Sequence, residues 1–449
     1  LASGRRVTPR QAGWMLGLAV VAVVCLAAGM TVGGKTGKTS EALDALARGT
    51  RYLRYAETAD QVLLGIKSLE QAIRIAPGSV AAHVELAHAH ALAHHIGYDR
   101  SPGREAAARH ELDVARRIAP DATEVLWGEA FLAYTFDQDY RAAMRRLDAV
   151  KSRRPGNAYD LRFEGIILRR LGRFDEALDR LREAAVMEPG NWKLAFEIAA
   201  TESTLRQYEA ADRDYARSIE LAPDQVSAYY GRARNVLLWK SSVREARAIM
   251  AAMPPLERSD VAVGWLVLDL CARDFDVAVA RLGRISDSGL DGQEGIAVRS
   301  LIEAETLRVK GDAARARVAY EAARAQIEPR LVGTPDDWRV HSALAVALAG
   351  LGRRAEAMRE ARRGVELCPA ERDALVAPFA LNTLAEVQVM TGDLGGAVAT
   401  LDQLVTRPAI PDATPILELE PWWEPLRNHP GFDALVARQR GRRVVGAGG

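Results

Sequence analysis

Five of the eight histidines lie close together, at His83, His88, His90, His94 and His95. His90 and His94 are four residues apart and His83 shares their helical face, so their imidazole nitrogens could bind a transition metal. However, no Asp, Glu or Cys stands at a spacing that completes a metal site. His83 and His90 also fall at positions that helical hairpins use for packing. We therefore predict packed structural histidines and no metal ion, with a metal site as the alternative.

A second pattern suggests phosphate binding. Residues 29–36 read Gly-Met-Thr-Val-Gly-Gly-Lys-Thr, which matches the phosphate-loop pattern G-x-x-x-x-G-K-[ST]. In such a loop a strand leads into the glycines, and backbone N–H groups and the lysine surround the phosphates. Here a 19-residue apolar run, too long for an ordinary strand, comes first, and no α/β alternation follows. We predict that Lys35 belongs to a linker and binds no nucleotide.

Other chemistry is not indicated. The sequence has no nucleophile elbow, paired-carboxylate arrangement or Gly-rich catalytic loop, so we predict no catalytic residue, no cofactor and no enzymatic activity. The three cysteines are scattered and form no disulfide or metal framework: Cys25, Cys271 and Cys368. Lys and Arg number 60 against 59 Asp and Glu, so no overall positive field would attract nucleic acid.

The elements that position these residues follow from a period in the sequence. Pro155, Pro189 and Pro223 are 34 residues apart, which is the length of one helix–turn–helix unit whose second helix ends at the proline. The small and apolar positions before Pro189 are Leu161, Gly165, Leu168, Gly172, Ala177, Leu181 and Ala184. On these positions the chain resembles the tetratricopeptide-repeat (TPR) family. The resemblance implies an all-α, right-handed TPR-type solenoid of about nine to ten hairpins, since single hairpins cannot bury their apolar stripes.

The flanking composition suggests the domain organisation. Trp14 to Val32 carries no charge and is preceded by three arginines, so we predict one transmembrane helix, with a cleaved signal peptide as the alternative. We predict a single-pass membrane protein with the repeats on the extracytoplasmic side. The predicted segments are a basic N-terminus at 1–13, the transmembrane helix at 14–32, a linker at 33–40, an N-terminal TPR array at 41–255, a degenerate repeat and loop at 256–295, a C-terminal TPR array at 296–409, and a capping helix with a disordered tail at 410–449.

A binding surface follows from the repeat positions. The first helix of each hairpin lines the concave face of such a solenoid, and on it we place Tyr159, Arg162, Ile166, Arg169, Arg170, Lys193, Phe196, Tyr230 and Arg234. Basic groups interleaved with aromatic rings suit an extended peptide with acidic side chains. We predict that these side chains are free for such a ligand, with a merely solvated surface as the alternative. The asparagine by which related repeats hold a terminal carboxylate is replaced by Phe163, Glu197 and Gly231.

A further resemblance concerns context. Residues 66–77, 97–102, 139–143 and 422–427 are similar to the C-terminal repeat region of large bacterial signalling proteins, which follows a membrane helix and a Ser/Thr kinase, nucleotide cyclase or winged-helix domain. The resemblance implies a membrane-anchored TPR scaffold that binds protein or peptide partners in the sensory or assembly part of such a protein. The alternatives are a stand-alone periplasmic or secreted TPR protein, or the non-catalytic half of a longer kinase or cyclase, since Leu1 is not a methionine.

Overall fold

The computed structural model describes residues 36–445, except 55, 57, 256–257, 287–291, 293–294 and 297. Within these residues the regular elements are all helices, and they form ten hairpins. The first six make the N-terminal array: α1–α2 (Thr36–Leu53, Ala59–Ile75), α3–α4 (Val80–His95, Pro102–Ile118), α5–α6 (Thr123–Leu132, Tyr140–Arg153), α7–α8 (Ala158–Arg170, Phe174–Met187), α9–α10 (Trp192–Thr204, Tyr208–Leu221) and α11–α12 (Val226–Lys240, Val243–Ala251).

One short hairpin leads to the C-terminal array, which has three hairpins and a small extra helix, α17. The remaining helices are α13–α14 (Ser259–Cys271, Phe275–Arg281), α15–α16 (Arg299–Lys310, Ala313–Ile327), α17 (Arg330–Gly333), α18–α19 (Trp338–Gly350, Arg354–Leu367), α20–α21 (Ala377–Thr391, Leu394–Thr406) and α22 (Pro430–Val445). The order of paired helices confirms the predicted α-solenoid, while the handedness of its superhelix stays a prediction.

Small residues sit where the helices of a hairpin approach most closely. A Cβ atom added to Gly165 of α7 would lie 2.8 Å from Cγ of Leu181 in α8. Neighbouring hairpins approach as closely, since a Cβ on Gly231 of α11 would lie 2.6 Å from the ring of Tyr215 in α10. Because interiors are packed to the density of organic crystals, a side chain at either glycine would separate the two helices.

The turns inside the hairpins use the left-handed backbone region. Gly172, Gly311 and Gly392 have φ of +74°, +90° and +87°, as expected for the glycines that end a first helix. Two arginines occupy the same region in other hairpins, Arg206 with φ 63° and Arg273 with φ 64°. A side chain with a Cβ is uncommon in this region, so contacts of the arginines themselves should compensate.

The chain after α21 folds back onto three successive hairpins, α9–α10, α11–α12 and α13–α14. Arg206 donates to the carbonyl oxygens of Val405 and Arg407 at 2.9 and 2.8 Å, and Arg273 donates to that of Leu419 at 2.9 Å. We call residues 407–426 the return segment. The surface built from α3, α5, α7, α9 and α11, here called the inner face, is therefore partly covered by the chain itself.

The prediction of membrane localisation is wrong for the part of the chain that the structure describes. None of its helices is both long enough and apolar enough to cross a membrane, which contradicts a single-pass membrane protein with extracytoplasmic repeats. The run that carried the prediction, residues 14–32, lies outside the described residues. So do the basic segment 1–13 and residues 29–35 of the phosphate-loop pattern.

Candidate functional site

Part of the inner face remains open as a cavity of about 100 Å³, which we call the inner pocket. Its walls come from the first helices of consecutive hairpins and from the end of α1. The lining residues are Leu53, Arg54, Ala56, His88, Leu92, His95, Trp127, Phe131, Tyr134, Tyr159, Arg162, Phe163, Ile166 and Lys193. Four of the predicted groove residues, Tyr159, Arg162, Ile166 and Lys193, thus meet in one pocket.

Capping asparagines 34 residues apart position two of its walls. The side-chain oxygen of Asn157 accepts from the backbone N–H of Tyr159 at 2.9 Å and starts α7. Asn191 accepts in the same way from Lys193 at 3.1 Å and starts α9. Because an asparagine at this position satisfies N–H groups that the helix leaves unpaired, the first turn of each helix, with its pocket residue, is fixed.

Packed aromatic rings form the floor of the pocket. Trp127 stacks on Phe131 with ring centroids 5.5 Å apart, and both rings also contact Phe163, at 5.9 and 5.5 Å. Tyr159 lies 5.5 Å from Trp127, and His88 meets the same indole edge-on at 5.1 Å. Such offset and edge contacts are favourable geometries for aromatic pairs. The floor is therefore rigid and apolar.

The predicted groove did not include Trp127, Phe131 or Phe163. Their spacing in sequence is that of residues packed between hairpins, and they do pack: all three are less than a tenth exposed. The sequence signal that could have indicated a pocket is the presence of several aromatic residues in the first helices of two neighbouring hairpins. Filling the space between two hairpins requires only one large side chain. Aromatic residues in excess of the packing need can line a cavity as well as fill the core.

Three cations lie at the rim of the inner pocket, and each has an internal contact. Arg162 donates through Nε and Nη2 to the two carboxylate oxygens of Glu197 at 2.9 and 2.5 Å. Arg54 pairs with Glu188 at 2.8 Å. The ammonium of Lys193 lies 5.0 Å from the ring centroid of Phe196, a cation–π contact. The prediction that Arg162 is free for a ligand is therefore wrong, because its guanidinium is already held by a buried carboxylate.

Arg234, another predicted groove residue, is covered by the return segment. Its side chain is 6 % exposed and donates to Glu420 at 3.0 Å and to the carbonyl oxygens of Pro411 and Thr414 at 3.1 and 2.8 Å. Tyr230 on the same helix hydrogen-bonds to Asp412 of that segment. The prediction that these side chains face a free groove is wrong. An acidic segment of the same chain, which contains two 3-10 turns, occupies it.

Arg170 is buried in the same way, by the loop between α19 and α20. It donates to Asp373 at 2.9 Å and to the hydroxyl of Tyr134 at 3.1 Å, while Ala374 N–H donates to its carbonyl at 2.8 Å. Asp373 also accepts from Tyr140 at 2.5 Å. Arg170 is therefore a structural link between the two arrays, contrary to its predicted role in a ligand groove.

The last two predicted groove residues pack beside the inner pocket. The ring of Phe196 meets Tyr215 edge-on at 5.8 Å. Arg169 is largely removed from water, and this desolvation lowers the pKa of its guanidinium. Neither residue lines the inner pocket, so their part in binding a ligand stays a prediction.

The clustered histidines have individual packing and hydrogen-bond partners. His83 lies between Glu111, 2.6 Å from Nδ1, and the carbonyl of Pro77, 2.9 Å from Nε2. His341 repeats this arrangement with Glu360 and Pro335 at the same two distances. In both cases the histidine follows the proline by six residues. We therefore interpret this pair of hydrogen bonds as a structural feature of the hairpin. In the described part of the chain, no group of three His, Cys, Asp or Glu side chains could hold a metal ion.

A second, more polar cavity of about 390 Å³ lies where the two arrays meet, and we call it the junction cavity. On one side it is bounded by the end of α3 and the turn after α5, and on the other by the loops that flank α18 and α19. Its lining residues are His94, His95, Arg100, Tyr134, Thr135, Gln138, Tyr140, Arg170, Thr334, Pro335, Asp336, Asp337, Trp338, Arg339, Leu367, Cys368, Arg372, Asp373 and Val376.

Comparisons with known proteins give no family. No protein-family model matches the chain, and no curated protein matches it. The solved structures that are similar include a human IFIT1 dimer with PPP-AAAA, at 14% identity, coverage of 73% of each chain and a TM-score of 0.46. They also include YrrB, a TPR protein with an unusual peptide-binding site, at 16% identity, covering 44% of this chain and 92% of that chain with a TM-score of 0.29. At these values the similarities carry no argument about function.

Proposed function

We propose that this chain is a helical-repeat scaffold that binds a protein or peptide partner in the inner pocket. The observation that carries the proposal is the aromatic floor formed by α5 and α7, which lies open beside a rim of cationic side chains. Peptide-binding surfaces are commonly built in this way, from a rigid apolar pocket that takes one large side chain and a polar rim that orients the backbone.

The preferred partner is an extended peptide with one large apolar side chain flanked by acidic residues. The apolar side chain would enter between Tyr159 and Ile166, and the acidic ones would approach Lys193 and Arg54. Both cations are partly exposed, so a carboxylate can approach them without a rearrangement of the helices. A partner of this kind is consistent with a protein-assembly role and with no reaction catalysed by the chain.

The context that we propose is bacterial signalling. It is supported by the similarity of residues 66–77, 97–102, 139–143 and 422–427 to the repeat regions of such proteins. In that context the scaffold would recruit a partner protein to a signalling complex, and any catalytic domain would belong to another part of that complex.

The test is selection of peptides from a random library on the immobilised chain, followed by affinity measurements on the selected sequences. Ile166→Arg should abolish binding because it places a charge in the apolar pocket, and Lys193→Glu should weaken acidic peptides about tenfold or more. Val186→Arg is the matched control, since Val186 is 82% exposed on α8. Selected peptides that bind Ile166→Arg as tightly as the wild-type chain would refute the proposed pocket.

A further inference from the structure

Unusual backbone geometry shapes one wall of the junction cavity. A π-helical turn, Ala133–Asp137, follows α5, and turns of this type are rare and frequent at functional sites. Gln138 comes next with φ 51°, in the left-handed region that side chains other than glycine rarely adopt. Thr135 of the turn and Gln138 both line the cavity. The irregular turn thus determines which side chains face the cavity.

Two polar atoms of this wall have no hydrogen-bond partner among the described residues. Thr135 is 8% exposed, and its Oγ1 is buried and unpaired. Nδ1 of His94, whose ring packs 4.9 Å from that of Phe136, is also buried and unpaired. Buried polar groups in proteins nearly always have a partner. Unpaired groups that line a cavity therefore point to a ligand that supplies the partner.

The charges around the cavity favour an anion. The lining contains four arginines and three aspartates, but Asp336 pairs at 2.9 Å with Arg363, which lies outside the lining. Asp373 is shared by Arg170 and Tyr140. Asp337 pairs with Arg339 at 2.5 Å, so two of the four guanidinium groups have an aspartate of the lining as partner. The arginines of the lining still outnumber its aspartates by one.

The histidines of the lining contribute little positive charge. Burial lowers the pKa of His95 well below its ordinary value, and the guanidinium groups of Arg170 and Arg100 lower it further. Burial and Arg100 also lower the pKa of His94. Both imidazoles are therefore neutral at pH 7, and His94 retains an unpaired ring nitrogen, Nδ1. The positive field comes from the arginines and is present at all physiological pH values.

We propose that the junction cavity binds a small anion that carries carboxylate or phosphate groups. Its volume of about 390 Å³ lies within the range of small-molecule pockets, about 300–1,000 Å³. Guanidinium groups offer paired N–H donors that match carboxylate and phosphate oxygens, and Thr135 supplies a hydroxyl donor. This ligand is distinct from the peptide proposed for the inner pocket, although Tyr134 and His95 line both cavities.

The experiment is isothermal titration calorimetry of the whole chain with inorganic phosphate, citrate and glucose 6-phosphate, with neutral glucose as the comparison. We expect saturable binding of at least one anion and none of glucose. Arg372→Gln, which changes an exposed guanidinium bonded to Gln138 at 3.2 Å, should raise the Kd about tenfold. Thr135→Val, which keeps the shape of the side chain, should raise it as well. Arg359→Gln, an exposed charge change on α19, should leave the Kd unchanged.

Several results would overturn the proposal. These are the absence of saturable binding for all three anions, equal binding of glucose, or equal weakening by Arg359→Gln and Arg372→Gln. Circular dichroism melting of each variant establishes that it is folded, and Arg372→Gln decides alone if Thr135→Val is not. Peptide affinity measured on the same preparations separates a failure of this site from a failure of the inner pocket.

Discussion

The contact between Arg234 and Glu420 should be the strongest single link between the N-terminal array and the return segment. Both side chains are buried, 6 % and 3 % exposed. Arg234 also donates to two carbonyl oxygens, and Glu420 accepts from the backbone of Ile416 and the indole N–H of Trp423. Replacement of Arg234 by Met roughly keeps the side-chain volume but removes all three hydrogen bonds that Arg234 donates to the segment.

The magnitude follows from what each substitution leaves behind. Arg234→Met leaves a buried carboxylate without its counter-ion, which costs about 3–5 kcal/mol in comparable buried pairs. Glu420→Gln keeps an acceptor for the guanidinium, so we expect a smaller loss of about 1–3 kcal/mol. The double variant should lose less than the sum of the two single variants, because the second change removes a charge that the first left unpaired.

The assay is urea unfolding of the two single variants and the double variant, with hydrogen exchange to locate the loosened region. Protection should fall first in residues 407–426 and in α11. Arg213→Met is the control, because Arg213 and Glu209 form an exposed pair, 69% and 54% exposed, worth about 0–1 kcal/mol. The reasoning is refuted if Arg234→Met costs no more than Arg213→Met, or if the two single losses are simply additive.

Three further predictions address other parts of the chain. Burial raises the pKa of Glu202 to about 7, so the folded state retains a proton that the unfolded state loses. As the pH rises from 4.5 to 7, the free energy of unfolding of the wild-type chain should therefore fall relative to that of Glu202→Gln. Urea titrations in which the two proteins show the same dependence on pH would contradict this. Gly165→Ala should cost about 1–3 kcal/mol because its Cβ would meet Leu181. Gly190→Ala should leave the stability unchanged, because a Cβ there would have no atom within 4 Å. Equal melting temperatures for Gly165→Ala and Gly190→Ala would refute the packing argument. Lys35→Ala should change neither stability nor nucleotide affinity, and a saturable ATP affinity that this substitution abolishes would establish a phosphate site.

The local features of the fold could be predicted because they depend on residues close in sequence. The proline period defined the hairpins, and glycines such as Gly172 and Gly392 marked their inner turns. Each needs only its own hairpin to explain it, since the left-handed turn and the helix contact are satisfied within about thirty residues.

The closure of the inner face could not be predicted from the same pattern. A repeat position indicates that Arg234 points away from its own hairpin, but it does not indicate what lies opposite. Glu420 is 186 residues away along the chain, and no period relates the two. The repeat pattern does not distinguish the three arginines of the predicted groove that form buried ion pairs. Arg162 binds the neighbouring hairpin, whereas Arg170 and Arg234 bind the C-terminal half of the chain.

The inner pocket was predicted in part for a similar reason. Tyr159 and Ile166 were placed on the correct surface by helical periodicity. Trp127 was not among the predicted groove residues, because periodicity distinguishes the faces of a helix and does not distinguish a filled gap from an open one. That distinction depends on the volumes of side chains in three successive hairpins at once.

The return segment also bears on how this protein can change by gain or loss of whole repeats. In an open solenoid each unit contacts only its neighbours, so one unit can be added or deleted with little effect on distant parts. Here Arg206, Arg234 and Arg273 reach the segment from three different hairpins. Deletion of one repeat unit from this interval would shift all later partners by one hairpin and leave buried charges unmatched. The contacts with the return segment therefore fix the number of hairpins between α9 and α14. Among related proteins, we expect the number of repeats to vary only in hairpins outside that interval.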